Sequence, residues 1–134
     1  MRPEFSIASL EARLAPSEDP EKVLGAIVNV LGDVPHSLEK GTRLVRIATH
    51  DQRSLDRLHD QLRDRHVRAA ARRRLIAGRS CDRTTVMINR QAAAAGVVVV
   101  CDSEEESALG PLCLTIESRN LGKIIEWLTD YEIA

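Results

Sequence analysis

An arginine-rich stretch, RDRHVRAAARRR at residues 63–74, offers the side chains best suited to chemistry. In a helix that turns about 100° per residue, Arg65, Arg68 and Arg72 fall within an arc of roughly 60°. Each guanidinium can donate parallel hydrogen bonds that match phosphate oxygens. These three residues, named here the arginine ridge, are therefore predicted to contact the phosphates of a nucleic acid.

The charge of the chain is strongly segregated around this ridge. Residues 43–90 hold thirteen arginines and five aspartates, without lysine or glutamate, for a local balance of +8. The remaining residues carry −9, so the net charge is only −1. A segregated charge of this size favours a polyanion-binding face. The alternative is a solvated helix surface on which the arginines pair with Asp60 and Asp64.

Further hydrogen-bond donors follow the ridge in the sequence. Arg79 comes just after the predicted helix, and Asn89, Arg90 and Gln91 close a predicted strand. The last three side chains can hold a phosphate or a base edge, or they can satisfy backbone groups where the strand ends. The candidate RNA-binding residues are thus Arg65, Arg68, Arg72, Arg79, Asn89, Arg90 and Gln91.

Aromatic side chains are scarce. The chain holds only Phe5, Trp127 and Tyr131, and none is close to the arginine-rich segment in the sequence. Proteins that read single strands stack bases on aromatic rings, and sheet-type RNA readers present two or three of them on adjacent strands. We therefore expect binding through phosphates and helical shape, which favours structured or double-stranded RNA.

Sequence patterns for metal binding and catalysis are missing. Cys81, Cys101 and Cys113 show no C-x-x-C or Cys/His ligand spacing, so neither zinc nor a disulfide framework is expected. Asp102 and Glu104–Glu106 lack the spaced ligands of a calcium loop and are predicted to form a solvated acidic loop. No nucleophile elbow, P-loop or dinucleotide-binding glycine motif occurs. The sequence predicts no enzyme activity, no metal site and no cofactor.

Length and composition indicate one globular domain over residues 1–134. Apolar residues make up 43% and charged residues 29%, which excludes a wholly disordered chain. The longest apolar run, residues 92–101, is about half a membrane span. The N-terminus lacks the apolar segment of a secretory signal. A soluble cytoplasmic protein with reduced cysteines is expected.

The elements that position these side chains follow from hydrophobic periodicity and capping signals. Ser17 or Asp19 can cap a first helix that Gly32 ends. Asp51 can cap a second helix, and a shift of the apolar stripe at residues 64–66 predicts a break before a third helix that ends near Gly78. Asn120 begins a last helix. Strands are predicted at 5–14, 34–39, 42–49, 84–89, 96–101 and 112–118.

Some details of this arrangement are more specific. The strands at 34–39 and 42–49 are joined by a predicted turn at 39–41, and the strand at 96–101 is expected to be buried on both faces. Cys101 and Cys113 fall on strands predicted to be neighbours. The order β-α-β-β-α-α-β-β-β-α describes one α+β domain with a mostly antiparallel sheet.

Five strings spread over nearly the whole chain resemble one archaeal family of uncharacterised proteins described as predicted RNA-binding subunits of the exosome. Two departures from its pattern are Ala108, where relatives tend to have proline, and the ending TDYEIA, which lacks a basic tail. The strings that carry the resemblance are PSEDPEKV at 16–23, NRQAA at 89–93, EEESALGPL at 104–112, TIES at 115–118 and EWL at 126–128.

The resemblance implies a fold like that of the large-subunit ribosomal protein that binds 5S rRNA, with helices packed on one side of a curved sheet. It also implies RNA and other RNA-processing proteins as partners. Together with the ridge, it predicts a non-catalytic RNA-binding protein that contacts structured RNA. The first alternative is an adaptor whose basic face docks on an acidic protein. A third and weaker hypothesis is a hydrolase or transferase with an unrecognised site.

Overall fold

The computed structural model describes residues 4–41, 43–107 and 109–129, which form one α+β domain. Every strand pairing within these residues is antiparallel. The strands are β1 Ile7–Arg13, β2 Ser37–Lys40, β3 Leu44–Thr49, β4 Arg79–Ser80, β5 Arg83–Ile88, β6 Val100–Cys101 and β7 Leu112–Glu117. The helices are α1 Pro20–Leu31, α2 Gln52–Gln61, α3 Arg65–Ala77, α4 Arg90–Ala94 and α5 Leu121–Leu128.

The sheet has two chemically different faces. Its strand order is β2-β3-β1-β7-β5-β4, and β6 pairs with β5. Leu10 of β1 lies opposite Ile47 of β3 and Leu114 of β7, and all three side chains are buried on one face. Because side chains alternate along a strand, the neighbours Glu11 and Arg46 point to the other face, where they are exposed and half-buried.

The helices cover the apolar face. α1 packs on β1 and β3, and α3 packs on β5 and β6. Between the helices, α1 contacts both α4 and α2, and α5 contacts both α2 and α3. α5 therefore lies between α2 and α3. The predicted α+β class with a mostly antiparallel sheet is confirmed.

Aspartate caps set the starts of three helices, as capping chemistry predicts. The side chains of Asp19, Asp51 and Asp64 each accept a hydrogen bond from the backbone N–H two residues later. Asp19 rather than Ser17 therefore caps α1, and Pro20 occupies the first helical position. The predicted break before α3 is present, but it lies at residues 62–64 and so begins two residues earlier than the shift of the apolar stripe indicates.

The predicted strand at 96–101 is wrong for most of its length, because only Val100–Cys101 pairs, as β6. Gly96 N–H donates to Ala93 O and Val97 N–H to Ala92 O, so these residues close α4 instead of joining the sheet. Val97 and Val99 are 53% and 39% exposed, and Val98 is buried. The run is thus a loop with one apolar side.

Two smaller expectations need correction. Cys101 and Cys113 are not on neighbouring strands, since both lie opposite Met87 on β5, one from each side. The turn predicted at 39–41 comes later, because β2 continues to Lys40. Ala108, Tyr131 and the end of the chain after Thr129 lie outside the described residues. In the described part of the chain, no helix has the length and apolar character needed to span a bilayer.

Candidate nucleic-acid interface

Helix α3, which carries the arginine ridge, is firmly anchored on the sheet. Ala71 and Leu75 are buried on its inner side. The Thr84 hydroxyl donates to Leu75 O at 2.6 Å. At the end of the helix, a Cβ on Gly78 would lie 2.3 Å from Thr85 O, so only glycine allows this close approach to β5. The backbone under the ridge is therefore held in place.

The N-terminal cap of α3 is electrostatically favourable as well. The Asp64 carboxylate accepts hydrogen bonds from the backbone N–H groups of Val67 and His66. These two hydrogen bonds lower the pKa of Asp64, and the charges of His66 and Arg68 lower it further. Asp64 thus caps α3, and its carboxylate also interacts electrostatically with Arg68 of the ridge.

The arginine ridge lies on one flank of α3, and one of its residues, Arg72, reaches the end of α5. Arg65 is exposed, while Arg68 and Arg72 are half-buried. Arg72 Nη1 donates to Thr129 Oγ1 at the end of α5, over 3.3 Å. Arg68 Nη2 donates to Arg63 O at 3.1 Å. The three side chains share one flank of α3, as predicted, but two of them lean against neighbouring chain segments.

Arg79 continues this border at the other end of α5. A Cβ on Gly122, in the first turn of α5, would lie 3.3 Å from Arg79 Nη1. Because α5 rises about 1.5 Å per residue, the contacts of Arg79 at Gly122 and of Arg72 at Thr129 are roughly 10 Å apart along the helix. The ridge and Arg79 thus form one line of guanidinium groups, named here the α3–α5 border.

Other arginines of the basic segment have acidic partners. Arg63 pairs with Asp60 at 3.1 Å, and Arg73 and Arg74 pair with Asp102 at 3.4 and 3.7 Å. Asp102 therefore binds two arginines of α3, whereas the sequence predicts that it lies in a solvated acidic loop.

The α3–α5 border differs from these paired arginines in its acceptors. Across the residues described, neither Arg65, Arg72 nor Arg79 forms an ion pair with a carboxylate. The acceptors of Arg72 and Arg79 are neutral, namely the hydroxyl of Thr129 and the carbonyl of Cys81.

The structure gives Arg90 an interior role that does not suit the predicted RNA contact. Its side chain is 6% exposed, and Nη1 lies 2.7 Å from both carboxylate oxygens of Glu18. Nη2 donates to Arg13 O at 2.9 Å. We name Arg90, Glu18 and the Arg13 carbonyl the buried arginine corner. Because this guanidinium is enclosed, it cannot reach a phosphate in this fold.

Asn89 and Gln91 flank this corner and are also used internally. Asn89 caps α4 by accepting from Ala92 N–H at 2.9 Å, and its amide donates to Glu106 O at 3.2 Å. Gln91 is exposed, and its Oε1 lies 3.4 Å from Ser107 Oγ. These contacts match the alternative in which the residues satisfy groups at a strand end. Asn89 caps α4 and Gln91 lies on it, whereas the α3–α5 border is formed by side chains of α3 and β4.

The ionisation of Glu18 reflects its setting in the corner. Burial acts to raise the pKa of Glu18, but the hydrogen bond from Ala15 N–H and the Arg90 guanidinium outweigh it, so the pKa is lowered. The carboxylate is therefore charged at neutral pH and balances Arg90. This pair joins the loop before α1 to α4.

Sequence spacing did not reveal a ring contact between two helices. The rings of His59 on α2 and Trp127 on α5 are stacked, with centroids 4.3 Å apart and planes 23° apart. His59 lies within the basic region at residues 43–90, so the aromatic side chain of Trp127 does lie against that region in space. One signal in the sequence is that each of these residues lies at the edge of the apolar stripe of its helix.

The cysteines show no sign of an activated thiol. Burial raises the pKa of Cys101 and of Cys113, and nearby acidic groups raise both further. Cys81 is exposed in the β4–β5 turn. Over the described ranges, His, Cys, Asp and Glu nowhere gather in a group of three or more that suits a metal ion.

Comparison with known proteins identifies relatives over nearly the whole chain. A UPF0201 protein of Metallosphaera sedula is 38% identical over 118 residues, covering 87% of this chain and 82% of the relative. A UPF0201 protein of Sulfurisphaera tokodaii is 38% identical over 122 residues, covering 90% and 84%. No family model matches the sequence.

A solved structure supports the same relationship. The crystal structure of a UPF0201 protein from Methanococcus jannaschii superposes with a TM-score of 0.77 at 23% identity, covering 92% of this chain and 98% of that one. This likeness shows the shared fold, and the sequence relatives show the kinship. The chain belongs to the archaeal UPF0201 family.

Proposed function

We propose that this protein is a non-catalytic RNA-binding protein that contacts the phosphates of structured RNA along the α3–α5 border. One observation carries the proposal. Arg65, Arg72 and Arg79 lack carboxylate partners within the residues that the structure describes, while Arg73 and Arg74 share Asp102. A row of uncompensated guanidinium groups on anchored helices attracts a polyanion.

The rest of the molecule supports contact with phosphates rather than with single-stranded bases. The open face of the sheet carries small or polar side chains in its central rows, and no ring is found there among the described residues. This face cannot stack bases as sheet-type RNA readers do. The line of guanidinium groups fits the regular phosphates of a duplex or hairpin.

The wider cellular role rests on the resemblance noted in the sequence. It supports a place among RNA-processing proteins such as the exosome and a likeness to the ribosomal protein that binds 5S rRNA. A cytoplasmic location is part of the same proposal and rests on the sequence features described above. Crosslinking in native cells tests this role. Recovery of a defined structured RNA together with exosome subunits is expected, and recovery of neither argues against it.

An adaptor function is the second candidate, and Ile76 favours it. This side chain is 53% exposed and lies about 20° beyond the arc of the arginine ridge on α3. An exposed apolar residue among arginines suits the centre of a protein interface better than a phosphate contact. Ile76→Ser is expected to leave RNA affinity unchanged if the border binds RNA.

Salt dependence of RNA binding tests the proposed function. Each arginine–phosphate contact releases condensed counterions, so removing one is expected to reduce the slope of log K against log salt by about one. We expect the variant Arg65→Ala/Arg68→Ala/Arg72→Ala to lose about three from the slope for a blunt RNA duplex. Its unfolding free energy should stay within about 1 kcal/mol, since alanine favours helices.

Arg73→Ala is the matched control for this experiment. It removes an arginine from the same helix, but one that already pairs with Asp102. Its slope is expected to stay near that of the natural protein. A folded triple variant with unchanged affinity and slope would contradict the proposal and favour the adaptor.

A further inference from the structure

A polar groove of about 370 Å³ lies where the β4–β5 turn meets the end of β7. Its volume is within the range of small-ligand sites, and it is lined by hydroxyl groups and charged side chains. Backbone pairing fixes its walls, because Arg83 lies opposite Glu117 and Ser118 N–H donates to Asp82 O at 2.9 Å. The sheet therefore holds the shape of this groove.

Two of the charges that line the groove neutralise each other, and two do not. Arg83 pairs with Glu117 at 3.2 Å. In the part of the chain that the structure describes, the exposed carboxylate of Asp82 and the exposed guanidinium of Arg119 have neither an ion-pair nor a hydrogen-bond partner. The groove thus offers one uncompensated acceptor group and one uncompensated donor group.

Arg79 connects the groove to the α3–α5 border. Its Nε donates to the carbonyl of Cys81, a residue that lines the groove, at 3.3 Å. Its Nη1 lies 3.3 Å from the position of a Cβ on Gly122, three residues after Arg119. An RNA strand whose phosphates follow the border as far as Arg79 therefore reaches the groove.

We propose that the groove binds the 3′-terminal nucleotide of the RNA, with Asp82 at the ribose hydroxyls and Arg119 at the last phosphate. This inference rests on the RNA-binding function proposed above and specifies which part of the RNA is bound there. A carboxylate accepts strong hydrogen bonds from ribose hydroxyls, as acidic residues do in dinucleotide-binding folds. Only the 3′-terminal ribose of a strand has both of these hydroxyls free, because every other ribose carries a phosphate on its 3′ oxygen.

The uncompensated charge of Asp82 also disfavours a strand that continues through the groove. A phosphate on the 3′ oxygen would bring a second negative charge close to the carboxylate, and such like-charge contacts are unfavourable. The groove therefore suits a strand that ends in a free diol.

Three RNA hairpins that differ only at the 3′ end test this inference. One ends in a ribose diol, one in a 2′,3′-dideoxy sugar and one in a 3′-phosphate. Fluorescence anisotropy, with the dye in the hairpin loop, gives their dissociation constants at one salt concentration. We expect the diol form to bind roughly tenfold tighter than the dideoxy form, which lacks the hydrogen bonds to the carboxylate. The 3′-phosphate form should also bind roughly tenfold more weakly than the diol form, although it carries more negative charge.

The outcomes separate this inference from the proposed function. Equal affinities of the three hairpins would overturn the inference, while strong salt dependence of all three would leave the proposed function standing. If no hairpin binds, both fail. Adenosine 5′-monophosphate has the same diol and phosphate but lacks the contacts of the border, so it should compete only at about a hundredfold higher concentration than the diol hairpin. Competition at equal concentration would overturn the assignment to a strand end.

Variants of the two uncompensated groups assign the effect to the groove. Asp82→Asn keeps the size of the side chain and removes its charge, so it should bind the 3′-phosphate hairpin as tightly as the diol hairpin. Asp33→Asn is the matched control, because Asp33 is exposed between α1 and β2 and outside the groove, and it should keep the preference. A folded Asp82→Asn protein that keeps the preference would also overturn the inference.

Arg119→Ala tests the contact to the last phosphate. The slope of log K against log salt should fall by about one for the diol and dideoxy hairpins alike, because both keep that phosphate. A folded variant with an unchanged slope would contradict the role of Arg119.

Discussion

The α3–α5 border and the buried arginine corner use the same side chain in opposite ways. In the corner, Arg90 is enclosed and its charge is balanced by Glu18 at 2.7 Å. Along the border, Arg72 and Arg79 bond only a hydroxyl and a carbonyl among the described groups. Arginine in the corner stabilises the fold, and arginine at the border leaves positive charge for a partner.

This comparison shows why the number of arginines alone does not define a binding face. A buried guanidinium must be paired, because an uncompensated charge in the interior costs several kcal/mol. A guanidinium at the surface is solvated and can remain without a carboxylate. Burial and the type of partner therefore distinguish the arginine that stabilises the fold from the arginines that we propose to bind RNA.

The largest expected effect comes from breaking the corner. Arg90→Ala leaves the Glu18 carboxylate buried without its cation, so the free energy of unfolding should fall by about 3–5 kcal/mol. Urea unfolding measures it. Arg73→Ala is the control, since its exposed pair with Asp102 is worth about 0–1 kcal/mol. Similar losses for both variants would contradict the distinction between the two regions.

An intermediate effect is expected from pH. The pKa of Glu18 is lower in the folded protein than the value of about 4.3 expected when unfolded. Its contribution to stability is therefore complete above that value and is lost as the pH falls through the folded pKa. Glu18→Gln should show an unfolding free energy that depends less on pH in the acid range.

Unfolding at a series of pH values from neutral to acid tests this expectation. The difference in stability between the natural protein and Glu18→Gln should shrink as the pH falls. A constant difference would mean that the Glu18 charge does not contribute.

The smallest effect on stability, with a clear effect on binding, is expected at the border. Arg79→Ala removes an exposed side chain that donates a hydrogen bond to the Cys81 carbonyl, so the unfolding free energy should change by about 0.5 kcal/mol or less. The salt slope for a blunt RNA duplex should fall by about one. A large loss of stability with an unchanged slope would place Arg79 with the structural arginines.

Features that depend on near neighbours in sequence were predictable. The starts of α1 and α2 follow from Asp19 and Asp51, because a cap acts within three residues. The alternation along β1 placed Leu10 inside, as found. The strand prediction at 96–101 is an exception. It is wrong although its cause is also local, because the backbone N–H groups of Gly96 and Val97 donate hydrogen bonds back to α4 and these residues do not join the sheet.

Local spacing predicts most of the helices and strands, the segregation of charge and the flank of α3 on which the ridge lies, because these depend on residues within one segment. Which arginines are paired depends instead on the tertiary structure. Arg90 meets Glu18 across 72 residues, and His59 meets Trp127 from a different helix. Such contacts depend on how the helices pack over the sheet, and burial, which sets whether a charge needs a partner, exists only in the folded chain.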